Sequence, residues 1–290
     1  MNLGYIDADR LFRFESTVDG FSLQGYVWEW PEPKAIVVIA HGAAEHSLRY
    51  GRFARALNQE GYEVWSLDHR GHGQSPGPEG RGDFGEGGWA ALVADIGQFI
   101  DIAKEARPGL PLILFGHSMG SAAAQQFAPE GSKAIDALVL SGSSARMGRR
   151  EGEPEQAFAP NAAFEPARTP YEWLSRDPEE VDKYIADPLC GFETQTSKRR
   201  GRASAERLTD PARLARIRPD LPCLFVAGDQ DPVNRNMEGL HELERLWAEA
   251  GVRQIDTLYY AGGRHEMLNE TNREQVTADI IGWMDEVVGG

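Results

Sequence analysis

The chain has 290 residues, 41% of them hydrophobic, and its 45 acidic side chains outnumber 30 basic ones for a net charge of −15 at pH 7. That length suits one large domain carrying an insertion, and that charge excludes a generic attraction for nucleic acid or anionic membrane surfaces. No run approaches the ~18–20 apolar residues of a membrane span, and residues 1–10 have no apolar signal core, so a cytoplasmic protein is expected.

Residues 11–17 and 21–30 alternate around Asp19-Gly20 and predict an opening β-hairpin. A strand follows at 35–40, a helix at 50–59 and a strand at 62–68. The glycine- and proline-rich stretch 71–88 reads as loop. Trp89, Leu92, Val93, Ile96, Phe99, Ile100 and Ala103 then recur at helical spacing, ending at Arg107-Pro108. The apolar run 112–115 is a strand, followed by a helix rich in small residues and a strand at 137–140. Later come strands at 223–227 and 258–260, and helices at 237–250 and 274–288. Strands alternating with helices predict a mainly parallel sheet covered on both faces. Residues 145–207 break the alternation with charge, proline and scattered aromatics. They are read as an inserted helical cap on a core formed by 1–144 and 208–290. Cys190 and Cys223 are expected to be free thiols, since Cys223 opens a buried strand.

The chemistry centres on Gly116-His117-Ser118-Met119-Gly120, between the strand at 112–115 and the following helix. A strand–turn–helix transition holds Ser118 at the apex of a tight turn, and the flanking glycines remove Cβ atoms that would clash there. A serine nucleophile needs a base, and the base needs an orienting acid. His265, in Gly262-Gly263-Arg264-His265-Glu266, is the expected base. Asp231, before Pro232, is favoured over Asp229 as the acid. The N–H of Met119, at a helix start, and that of Ala43, in the loop after the 35–40 strand, are the expected oxyanion donors, with Ala44 as the competitor of Ala43. The other six histidines form no metal-ligand pattern such as His-Glu-x-x-His, and neither metal nor cofactor is expected. The segment from Asp68 to Ser75, including Arg70, reads as architectural. In the cap, Phe158, Phe164, Trp173, Leu174, Tyr184, Ile185 and Leu189 are candidates for an acyl-binding wall or for cap–core packing. The cluster Lys198, Arg199, Arg200, Arg202 and Arg207 reads as a solvated face or a basic rim.

These residues resemble the monoacylglycerol lipase and lysophospholipase branch of the α/β-hydrolases, the serine aminopeptidase S33-type hydrolases. The resemblance rests on His41-Gly42-Ala43-Ala44-Glu45-His46 with Arg49-Tyr50, Asp68 to Ser75, Gly116 to Gly120, Gly228-x-x-Asp231, and Arg264-His265-Glu266 with Asn269-Glu270. It implies an eight-stranded, mostly parallel sheet flanked by helices. It also implies cofactor-free cleavage of acyl esters of glycerol or related lipids through an acyl-enzyme. Ala43, Met119 and Asp231 take the roles already given to them. The partner implied is a small ester or lipid, with at most transient membrane contact through the cap. The 194–207 stretch departs from the family in lacking large apolar residues, which favours shorter acyl or aryl esters. Thioesterase, amidase and phthalate or aryl esterase activities would use the same triad, and a non-catalytic ligand-binding member of the fold would keep none of this chemistry.

Overall fold

The computed structural model describes residues 3–145, 159–194, 208–235 and 237–289. Phe158 and the basic cluster from Lys198 to Arg207 lie outside the described residues.

Eight strands form one sheet in the order β1-β2-β4-β3-β5-β6-β7-β8. The hairpin β1 (Arg10–Glu15) and β2 (Ser22–Trp28) pairs antiparallel and lies at one edge. The remaining strands β3 (Ala35–Ala40), β4 (Tyr62–Asp68), β5 (Leu112–His117), β6 (Ala137–Ser141), β7 (Cys223–Gly228) and β8 (Ile255–Tyr260) run parallel to one another. Strands β3 to β7 are buried along their whole length, which is why their sequences are mostly apolar runs rather than alternating ones; β4 departs from this with Glu63, Ser66 and Asp68, each hydrogen-bonded. β8 is twice as long as its sequence suggested. After the half-buried Ile255 come Asp256 and Thr257, exposed on an edge strand, so no apolar run marks its start.

Helices α1 (Gly51–Gln59) and α7 (Arg273–Gly289) cover one face; Phe53, Leu57, Ile280 and Met284 pack there with Phe115 and Val139. Helices α2 (Gly88–Ala106), α3 (Met119–Gly131) and α6 (Glu238–Glu249) cover the other, where Phe99, Ala124 and Trp247 meet Leu114, Leu140 and Phe225. Between β6 and β7 the described residues contain no strand. They hold a short 3-10 helix (Pro160–Phe164), helix α4 (Pro178–Ala186) capped by Asp177, and the one-turn α5 (Pro211–Leu214).

The glycine-rich loop after β4 is anchored from beneath by Arg70, whose side chain is fully buried. It donates to Asp95, Asp19, Ser16 Oγ and the Phe84 carbonyl. Asp68 binds the same loop from its start, accepting from the Gln74 and Ser47 amides and from the Tyr26 hydroxyl. The loop is thus a buried polar scaffold for the sheet's carboxyl edge.

Candidate active site

Three strand ends bring the site together. Ser118 follows β5 at φ 52°, a region that L-residues seldom adopt, and α3 begins at the next residue. The turn is tight because its neighbours have no side chains. A Cβ on Gly120 would stand 2.0 Å from the Ala40 carbonyl oxygen, and one on Gly116 2.8 Å from that of Gly120. The Ser118 amide donates to the Ser141 carbonyl, and the Ser121 hydroxyl donates to the Ser118 carbonyl, which holds the turn from both sides.

Asp231 follows β7 and His265 follows β8. His265 Nε2 lies 2.8 Å from Ser118 Oγ, and His265 Nδ1 lies 2.9 Å from Asp231 Oδ2. A buried carboxylate only accepts, so Nδ1 carries the proton and the Nε2 lone pair faces the serine hydroxyl. Asp231 is fully buried, and its other oxygen accepts from the Val233 amide. Asp229 points elsewhere and accepts from the Gly262 amide. Burial alone would lower the His265 pKa, but the charge and hydrogen bond of Asp231 outweigh it, and the imidazole sits above its ordinary value. Burial, with His265 beside it, pushes His117 down to about 4, which keeps this second imidazole neutral.

The loop after β3 carries Ala43. The Gly42 amide is taken by the Glu45 carboxylate, which also accepts from the Tyr50 hydroxyl. Ala44 has φ 55°, and its carbonyl accepts from the Tyr184 hydroxyl and the Gly191 amide. Met119 is the first residue of α3, where main-chain N–H groups have no partner within the helix. Arg49, itself buried, donates to Glu45 and forks onto both oxygens of Glu266, the neighbour of His265. One guanidinium therefore ties the Ala43 loop to the His265 loop. Sequence reading quoted Arg49 and Glu266 only within motifs, because nothing local marks a pair 217 residues apart.

The segment between β6 and β7 is joined to the same place. The His265 and Glu266 amides donate to the Trp173 and Leu174 carbonyls. Arg264 donates to the Glu172 and Ser175 carbonyls and lies over the Phe164 ring. The Trp173 ring lies 4.9 Å from the His265 ring, and Tyr184 is buried beneath Arg49. Leu174 is buried and Leu189 half-buried. Ile185 departs from the expected wall: it is 46% exposed, on the outer side of α4. An isolated isoleucine on a short helix does not reveal which face it takes.

Residues 31–272 match the family described as serine aminopeptidase, S33. A monoacylglycerol lipase of Mycolicibacterium smegmatis is 30% identical over 259 residues, spanning 87% of this chain and 89% of that protein. The human monoglyceride lipase is 36% identical over 165 residues, 54% of this chain and 52% of its own. Among solved structures, a thermostable carboxyl esterase of Bacillus coagulans in complex with glycerol superposes with a TM-score of 0.85 at 26% identity, covering 97% of this chain and 99% of that one. The monoacylglycerol lipase of Paleococcus ferrophilus does so with a TM-score of 0.68, also at 26%, over 92% and 98%. With the sheet order above, these likenesses define a carboxylic ester hydrolase of the α/β-hydrolase fold. The chain belongs to the serine aminopeptidase S33 family, and within it is monoacylglycerol lipase-like.

Proposed function

We propose that this protein cleaves acyl esters through an acyl-enzyme on Ser118. The series of two short contacts, serine to imidazole and imidazole to carboxylate, carries the reading. His265 takes the hydroxyl proton as Ser118 Oγ attacks the acyl carbon, then returns it to the leaving alcohol; a water, activated in the same way, releases the acid. The Ala43 and Met119 amides hold the oxyanion. Residues 145–207 are the cap of this reading, supported by Trp173 against His265 and Tyr184 against the Ala43 loop. The relatives named as monoacylglycerol lipases, and the esterase with bound glycerol, favour glycerol monoesters or short to medium acyl esters.

Initial rates on p-nitrophenyl esters from acetate to palmitate, beside 1-monoacylglycerols and an aminoacyl p-nitroanilide, test this. Turnover of the esters, falling off at long chains, is expected. Cleavage of the anilide alone would overturn the ester reading in favour of the aminopeptidase chemistry for which the family is described.

The pH profile follows from the Asp231–His265 contact. Only neutral His265 accepts the serine proton, so kcat/KM rises with pH through its pKa, above the ordinary value of ~6.5. Asp231→Asn removes the charge that stabilises imidazolium. The acid limb then moves to lower pH while the plateau falls by about 10⁴. A limb that stays put in that variant would place the titrating group elsewhere.

A further inference from the structure

We propose that His46, Asp187 and Cys190 form a binding site for a divalent transition-metal ion of the zinc type, at the joint between the Ala43 loop and the segment that follows α4.

An imidazole nitrogen, a carboxylate oxygen and a thiol sulfur lie here within 4.8 Å of one another. His46 and Asp187 are buried and Cys190 is half-buried. Zinc bonds of about 2.0–2.3 Å put tetrahedral ligands roughly 3.4–3.8 Å apart, so the His46–Asp187 pair, at 2.8 Å, has to open slightly, while no other pair, all within 4.8 Å, has to close by more than roughly 1–1.5 Å. Nitrogen, oxygen and sulfur together suit zinc or its neighbours rather than calcium or magnesium, which take oxygen alone.

The donors are held before any ion arrives. Asp187 ends α4, its other oxygen accepts from the Leu189 amide, and the Cys190 amide donates to the Asp187 carbonyl. The turn is clipped to the Ala43 loop by the bond from the Gly191 amide to the Ala44 carbonyl. Tyr5 packs on the same place: its ring meets His46 edge-on, and its buried hydroxyl faces Asp187. Arg49 does not oppose a cation here, because Glu45 and Glu266 already neutralise it.

Binding replaces the His46–Asp187 hydrogen bond, at 2.8 Å, with two metal bonds. The thiol proton leaves to solvent, and the Nε2 proton that His46 now gives to Asp187 is lost from that nitrogen, solvent returning one to Nδ1, so that the Nε2 lone pair of a neutral imidazole faces the ion. Two negative ligands then balance the ion's charge. His46 follows Glu45, which holds the Gly42 amide, so parting His46 from Asp187 to admit the ion shifts the loop that presents Ala43. Because misplacements near 1 Å cost on the order of a hundredfold, an occupied site slows ester turnover.

Binding is read on the resting protein, so it stands or falls separately from ester hydrolysis. Co²⁺ titration of the wild type is expected to give a thiolate-to-metal charge-transfer band. Cys190→Ala should lose the band, while Cys223→Ala should keep it. Calorimetric Zn²⁺ affinity should fall on the order of a hundredfold in Cys190→Ala, since even groups behind the ligands are worth 10–100-fold. That variant should keep its metal-free activity and escape zinc inhibition. Absence of the band in the wild type overturns the site. So does unchanged Zn²⁺ affinity, or unchanged inhibition, in Cys190→Ala; the last would place the ion on His265 instead.

Discussion

Ser118→Ala is expected to lower kcat on an activated ester by on the order of 10⁵–10⁶ and to abolish labelling by a fluorophosphonate, with the fold unchanged. In the proposed mechanism the loss is that large because His265 and Asp231 act only through the serine oxygen: without it the imidazole has no proton to take. Adding His265→Ala to Ser118→Ala should cost almost nothing more, since residues that work as a unit do not add. Residual hydrolysis above the water rate would come from the Ala43 and Met119 amides and from substrate binding. A variant that still labelled at a rate within about tenfold of the wild type would remove Ser118 from the mechanism.

Arg70→Met is expected to be the most destabilising of the single changes considered, by about 3–5 kcal/mol. The Arg70 side chain is fully buried, and Asp95, its closest partner at 2.7 Å, is 1% exposed. Methionine fills much of the volume but leaves a buried carboxylate with the Ser16 hydroxyl as its remaining side-chain partner. Denaturant unfolding followed by circular dichroism should report the loss, together with a fall in Tm of roughly 10 °C. Pairing Arg70→Met with Asp95→Leu should recover most of it, because replacing both members of a buried ion pair is far milder than removing one. A loss below about 1 kcal/mol in the single variant would mean that the loop after β4 does not depend on this pair.

Much of the sheet was legible because its strands are covered on both faces. Ala35–Ala40 and Tyr62–Asp68 stand where their buried runs place them. Ser118, Asp231 and His265 were legible for a related reason: each follows a strand and sits among residues chosen for turn geometry. The links behind them were not. His46 meets Asp187 from 141 residues away, and Trp173 covers His265 through a carbonyl contact that any residue could make. Charge pairs and main-chain bonds of this kind have no period and no preferred spacing. Ile185 shows the converse, an apolar residue whose type promised a pocket and whose place on α4 gives it to solvent.

The bonds from His265 and Glu266 to the Trp173 and Leu174 carbonyls set a rule for chimaeras. A borrowed version of residues 159–194 brings new main-chain geometry to bear on the imidazole itself. Grafts between relatives should therefore exchange 159–194 and 264–270 together. Swapping the first stretch alone changes the aim of the His265 imidazole, and under the proposed mechanism a drop in rate after such a graft says nothing by itself about substrate fit.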